Sequence, residues 1–161
     1  MRLFPVALVL LLTAAVSSAD EPGSTPPPTS PPTPTPAPEI ATHTPAALFA
    51  AVEDAWIHAD GERFASLVDT TAVRIALKPG EPPTAAVTRT AAAFLFQDQI
   101  RLVKTKEFRI VRFNPSKRGV TAIAAWNADW GGRRGQRDVE VTLIGGRRGG
   151  RWLLLEVRTK D

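Results

Sequence analysis

His43 and His58 are the two side chains of this 161-residue sequence that titrate near neutral pH. Asp98, set between Gln97 and Gln99, is the acid that a proton-transfer reaction would call on. None of the three sits in a catalytic pattern. His43 lies in a proline-rich run. His58 falls about 80–120° from the centre of the apolar stripe that runs from Leu48 to Trp56, which places it on the surface of its helix. Asp98 stands at a helix end, where a solvated acid is the ordinary finding. Tyrosine and cysteine are absent, which removes a tyrosine acid, a cysteine nucleophile, disulfides, thiolate metal sites and lipid attachment through cysteine. No His-Glu-x-x-His or calcium-loop spacing occurs either, so neither a metal nor a cofactor is expected, and no residue is assigned a catalytic role.

Arginine supplies the other chemistry. The runs Gly131-Gly132-Arg133-Arg134-Gly135 and Gly145-Gly146-Arg147-Arg148-Gly149-Gly150-Arg151 are near repeats of each other. The second lacks the Lys-Ser/Thr of a phosphate loop and joins two strands, so a phosphate loop is not expected. Consecutive hairpins open at opposite ends of a sheet, so the two runs belong to different ends. Lys117, Arg118, Arg147, Arg148 and Arg151 share one end, and no acid occurs in either of those turns. That cluster is a candidate site for an anionic polymer of the cell envelope or a lipid headgroup. Solubilising turn residues are the competing explanation. Arginine outnumbers lysine 15 to 5, a bias that a GC-rich genome also produces.

The elements that must position these groups occupy only part of the chain. Met1-Arg2 followed by the apolar run Leu3 to Val16 and the small residues Ser17-Ser18-Ala19 has the form of an export signal cleaved before Asp20. An uncleaved anchor helix is the alternative, although the run is shorter than the roughly 20 residues of a membrane span. The expected address is secreted or periplasmic, and without cysteine the protein is not a lipoprotein. Residues 20–45 hold ten of the 15 prolines and six threonines. Such a segment has too little to bury to offset the entropy of folding. It reads as an extended spacer reaching at most about 80 Å at ~3.1 Å per residue.

Residues 46–161 form the domain. They carry 19 of the 20 basic residues and 13 of the 16 acids, a net charge of +6. Thr44-Pro45 opens a helix whose inward positions are Leu48, Phe49, Val52, Ala55, Trp56 and Ala59. A short helix follows from Glu62 to Val68, then a short strand from Ala72 to Leu77 and a third helix from Thr84 to Gln99. Beyond Thr105 the pattern has period two and gives four strands. Their inward residues are expected to be Phe108, Ile110, Trp126, Trp130, Val139, Val141, Leu143, Leu153 and Leu155. Val111, Phe113, Ile123, Ala125, Ile144, Trp152 and Leu154 are expected on the opposite face. The class is α+β, three helices on a curved antiparallel sheet of four long strands plus one short strand.

This order resembles the nuclear-transport-factor-2-like (NTF2-like) superfamily, and within it small exported bacterial domains of unknown function. The residues that carry the resemblance are Phe64 to Leu67 after Asp60-Gly61, the helix Ala92-Ala93-Phe94-Leu95-Phe96, and the hairpin from Val139 through Gly150-Arg151-Trp152-Leu153-Leu154. The resemblance implies a cone-shaped fold with a long first helix inside a bent sheet. It does not imply one activity, because the fold hosts enzymes, adaptors and association domains. The inward set is almost wholly apolar, so the cone is a packed core or a greasy pocket, with Trp56, Phe94, Phe108, Trp126 and Val141 as its candidate lining. The reading that follows is an exported, tethered binding or association module, with a homodimer through the sheet as one expected partner and no nucleic acid. A small-molecule isomerase or dehydratase with its site in the cone is the alternative.

Overall fold

A computed structural model describes residues 42–116 and 119–160; the expected signal (1–19), the expected spacer up to residue 41, Lys117 and Arg118 lie outside the described residues. Thr42 already belongs to the folded unit. It is fully buried, and its carbonyl accepts from the Trp152 backbone N–H at 2.8 Å.

Helix α1 spans Pro45–Ile57. The Thr44 hydroxyl accepts from the Ala47 N–H at 3.1 Å, which satisfies one of the orphan donors of the first turn. One face buries Leu48, Phe49, Ala51, Val52, Ala55 and Trp56. Asp60 caps α2, Gly61–Leu67, by accepting from the Arg63 N–H at 2.9 Å. Gly61 fits because a Cβ there would stand 3.2 Å from the Ala93 carbonyl oxygen and from the Gln97 Cβ. Helix α3, Arg89–Leu102, starts five residues later than the sequence pattern suggests. Before it, Thr84 and Val87 are engaged elsewhere: the Thr84 N–H donates to the Ile75 carbonyl at 2.9 Å, and Val87 exchanges backbone bonds with Val73. Thr88 can therefore be a cap, and its hydroxyl accepts from the Ala91 N–H.

The strands are β1 (Arg74–Ala76), β2 (Lys104–Pro115), β3 (Val120–Asp129), β4 (Gln136–Arg148) and β5 (Arg151–Lys160), in the order β1-β5-β4-β3-β2. The long strands pair antiparallel as expected, but β1 lies parallel to β5, so the sheet is mixed rather than wholly antiparallel. The direction is set before β1 begins. The chain leaving α2 already runs alongside β5, with Val68 bridged in parallel to Leu154 and the Asp69 N–H donating to the Leu154 carbonyl at 2.8 Å.

Register shifts interrupt the alternation of β2 and β5. In β2 the partner of Ile110 is Ala124 and that of Arg112 is Ile123, so Val111 is the extra residue. Phe113 consequently pairs with Ala122 on the helix-covered face, and its ring stands 5.7 Å from that of Phe49, contrary to the outward position expected. At β4–β5, Ile144 pairs with Glu156 and Gly145 with Leu154, leaving Leu155 unpaired. Leu154 and Val157, rather than Leu153 and Leu155, therefore join the core cluster. Gly145 and Gly146 also lie within β4, and the hairpin turns on Gly149-Gly150 alone, at φ of 54° and 83°.

Candidate functional site

The residues expected to line a pocket pack on one another instead. Trp56, Phe108, Trp126 and Val141 are each at most 2% exposed. The Trp56 ring is stacked on Phe108 at 4.2 Å and 12°, and meets Trp126 and Phe96 edge to face, each at 5.2 Å. Phe64 stacks on Phe96 at 4.1 Å, and Trp130 lies 5.0 Å from Trp126. Offset and T-shaped arrangements of this kind are the favoured aromatic geometries. Trp126 Nε1 donates to the Thr105 hydroxyl at 3.1 Å, whereas Trp56 Nε1 is buried without a hydrogen-bond partner. Phe94 is not among them. It stands on the outer side of α3, 68% exposed, because α3 turns Ala92, Phe96 and Ile100 inward instead.

The three acid–base candidates also fall outside that core, with His43 exposed ahead of α1. His58 closes α1 at the surface, 68% exposed, with Nδ1 2.8 Å from the Asp54 carbonyl oxygen. Asp98 is exposed on α3. Among the described residues no group of three or more His, Asp or Glu is placed to hold a metal ion, and no helix is long and apolar enough to cross a membrane.

At the arginine end of the sheet, Arg147 is exposed on β4 next to the Gly149-Gly150 turn. Arg148 is held by an acid that the turns themselves do not contain. Its Nε donates to Asp69 Oδ2 at 3.1 Å. Asp69, 4% exposed, also accepts from the Thr71 N–H and hydroxyl through Oδ1. Burial pushes the Asp69 carboxyl up, but the two Thr71 hydrogen bonds and the Arg148 guanidinium outweigh it and hold the group below its ordinary range. Asp69-Thr70-Thr71 is an Asx-turn sequence, so its local bonding was legible; its pairing with a residue 79 positions later was not.

Three further polar residues escape sequence reasoning. Glu53 accepts from the Ile110 N–H on edge strand β2, which occupies a donor that a free edge would expose. Glu156 is 2% exposed, with Arg74 at one carboxylate oxygen and Arg158 at the other. Gln99 is 7% exposed on α3. None of these follows from periodicity: Glu53 and Glu156 meet Ile110 and Arg74, which are distant in sequence, and Gln99 makes no hydrogen bond to any described residue.

The face of the sheet away from the helices carries a shallow depression of about 330 Å³. Ile123 and Ala125 on β3 lie at its centre, Val111 and Arg112 on one flank, and Asp138 and Glu140 on the other. Beside it, Asn127 donates to Asp138 Oδ1 at 2.7 Å and accepts from Gln136 at 2.9 Å.

No family model matches the sequence, and no curated protein matches it. Solved structures do. A DUF4783 family protein from Bacteroides ovatus is similar at a TM-score of 0.59 and 13% identity, over 74% of this chain and 96% of that one. A Caulobacter vibrioides protein with a cystatin-like fold is similar at 0.56 and 16% identity, over 71% and 84% of the two chains. A proposed dehydratase of the NTF2-like family from Streptomyces avermitilis is similar at 0.54 and 15%, over 72% and 92%. At such identities it is the fold that is shared, and the described domain has the NTF2-like α+β fold found in bacterial domains of unknown function.

Proposed function

We propose that the domain is a non-catalytic association module that pairs with a second copy of itself through the outer face of its sheet. One observation carries the reading: the outer depression is charged oppositely on its two flanks, with Arg112 on one side of Ile123 and Ala125 and with Asp138 and Glu140 on the other. A twofold axis through such a surface sets each arginine against the acids of the other copy, an isologous and self-complementary contact. The ring-filled interior supports the same reading, since Trp56, Phe96, Phe108 and Trp126 leave no acid or base among them.

Light scattering on the full chain at micromolar concentration tests this. A dimer is expected, Arg112→Glu should dissociate it, and adding Glu140→Arg should restore it. A monomer for the unaltered chain, or a dimer indifferent to Arg112→Glu, overturns the proposal. The alternative, an isomerase or dehydratase with its site in the cone, draws support from the activity proposed for the Streptomyces avermitilis neighbour. We also propose that residues 1–19 direct export and that the proline-rich stretch from residue 20 tethers the domain outside the cytoplasm. N-terminal sequencing of secreted material should then begin at Asp20, and recovery of Met1 on soluble cytoplasmic protein would overturn it.

A further inference from the structure

Strand β1, the loop after it and the C-terminal half of α3 enclose a crevice of about 120 Å³, well apart from the sheet depression. Ile75, Ala76 and Leu77 are buried and form its floor; Leu95, Asp98 and Gln99 form the helical wall. Those three residues stand at i, i+3 and i+4, so one face of α3 offers an apolar, an acidic and an amide group together. The floor is held rigidly: the Ile75 N–H donates to the Thr84 hydroxyl at 3.2 Å, and the Thr159 hydroxyl donates to the Ala76 carbonyl at 3.0 Å.

Gln99 is the group that needs explaining. It is only 7% exposed, yet its carboxamide makes no hydrogen bond to any described residue. The residue is buried but its amide atoms are not sealed from water, and the crevice is where a partner can reach them. The charge there is unbalanced as well. Asp98 and Glu81 both line the crevice against Lys78, which lies 3.5 Å from Glu81, and no described cation pairs with Asp98.

The geometry points to a binding site for a primary ammonium group carried on a short alkyl chain. An ammonium has three donors and no acceptor, which suits the Asp98 carboxylate and the Gln99 carbonyl oxygen at once. The alkyl part rests against Leu77, Pro82 and Leu95, and the volume admits a group of about four to six heavy atoms. This site stands independently of self-association, because none of its residues lines the sheet depression.

The probe is n-butylammonium, titrated into the full chain and followed by the NMR signal of the Gln99 side-chain amide. Saturable shifts are expected, half complete on the order of 1–10 mM for a ligand of so few heavy atoms. Tetramethylammonium has the same charge and no donor, and it should leave the signal unmoved. Asp98→Asn changes an exposed side chain, so the fold should survive while binding weakens about tenfold or more. Gln99→Leu, which keeps the volume and removes the amide, should weaken binding as read from the Leu77 and Leu95 methyl signals. Absence of saturation, equal shifts from both cations, or undiminished binding by Asp98→Asn overturns the site.

Discussion

The two faces of the sheet are built from the same strands and hold together by different physics. Toward the helices, Ala122, Ala124, Trp126 and Ala128 of β3 are fully buried, and the alanines leave room for the rings of Trp56, Phe96 and Phe108. Toward the other side, Ile123 and Ala125 are half-buried among Arg112, Asp138 and Glu140, and the ion pairs of Glu156 with Arg74 and Arg158 tie β1 to β5. The first face stabilises by area removed from water and by ring geometry. The second carries exposed charges that water and salt weaken, with the buried Glu156 carboxylate as the exception. The helix-covered face therefore holds the apolar core, and much of the outer face stays in contact with water.

The sharpest way to break this contrast is to cut one ring from each side of the helical layer. Trp56→Ala removes the ring that touches Phe64, Phe96, Phe108 and Trp126, and should cost about 3–5 kcal/mol of unfolding free energy in denaturant titration. Phe94→Ser removes a ring that is 68% exposed and should change stability by less than ~0.5 kcal/mol. Similar losses from both would mean that Phe94 is covered in the working protein.

How much of this was legible in the sequence depends on what placed each residue. Thr44-Pro45 announced its cap, and the strict alternation of β3 placed Trp126 correctly, because local rules decide those positions. The faces of Phe113, Leu154 and Leu155 were not legible. The extra residues Val111 in β2 and Leu155 in β5 put the positions on their two sides out of phase, and nothing in a period-two pattern marks where a bulge will fall. Phe94 was misplaced for a related reason. The run Ala91 to Phe96 is apolar all round, so composition could not say which side faced the core. Of the expected anion cluster, the sequence showed the arginines but not Asp69, whose contact with Arg148 closes only when β1 lies parallel to β5.

Asp69 sharpens the contrast through pH. Its carboxyl is held below the ordinary range in the folded chain, so it contributes stability that is fully present above the unfolded value of ~3.9. That contribution fades as pH falls past this value and is gone below the folded pKa. Asp69→Asn should cost about 1–3 kcal/mol at pH 7, since a buried acceptor of three hydrogen bonds is weakened. The gap between variant and unaltered chain should narrow below about pH 4. A gap independent of pH would mean that the charge of Asp69 is irrelevant and only its turn geometry counts.

Gly150 gives the next effect, about 1 kcal/mol. Its φ of 83° suits glycine, and nothing within 4 Å would obstruct a Cβ, so Gly150→Ala reports backbone strain alone. A loss near 3 kcal/mol would instead signal that the β4–β5 register moves with the turn.

The smallest expected effect lies on the outer face. Arg109 and Glu107 form an ion pair at 3.0 Å on β2, with side chains 63% and 61% exposed. Solvent screens such a pair, and the double substitution Glu107→Ala/Arg109→Ala should change the stability of the monomer by less than ~0.5 kcal/mol. Its value as a probe is that this small number depends on the surface staying wet. If a second copy covers the outer face, the pair loses water, and its removal should matter more as protein concentration rises. The double variant should therefore match the unaltered chain at low concentration and diverge from it above the dimerisation midpoint. Identical curves at every concentration would place Glu107 and Arg109 outside the contact and confine it to the depression between Arg112 and Glu140.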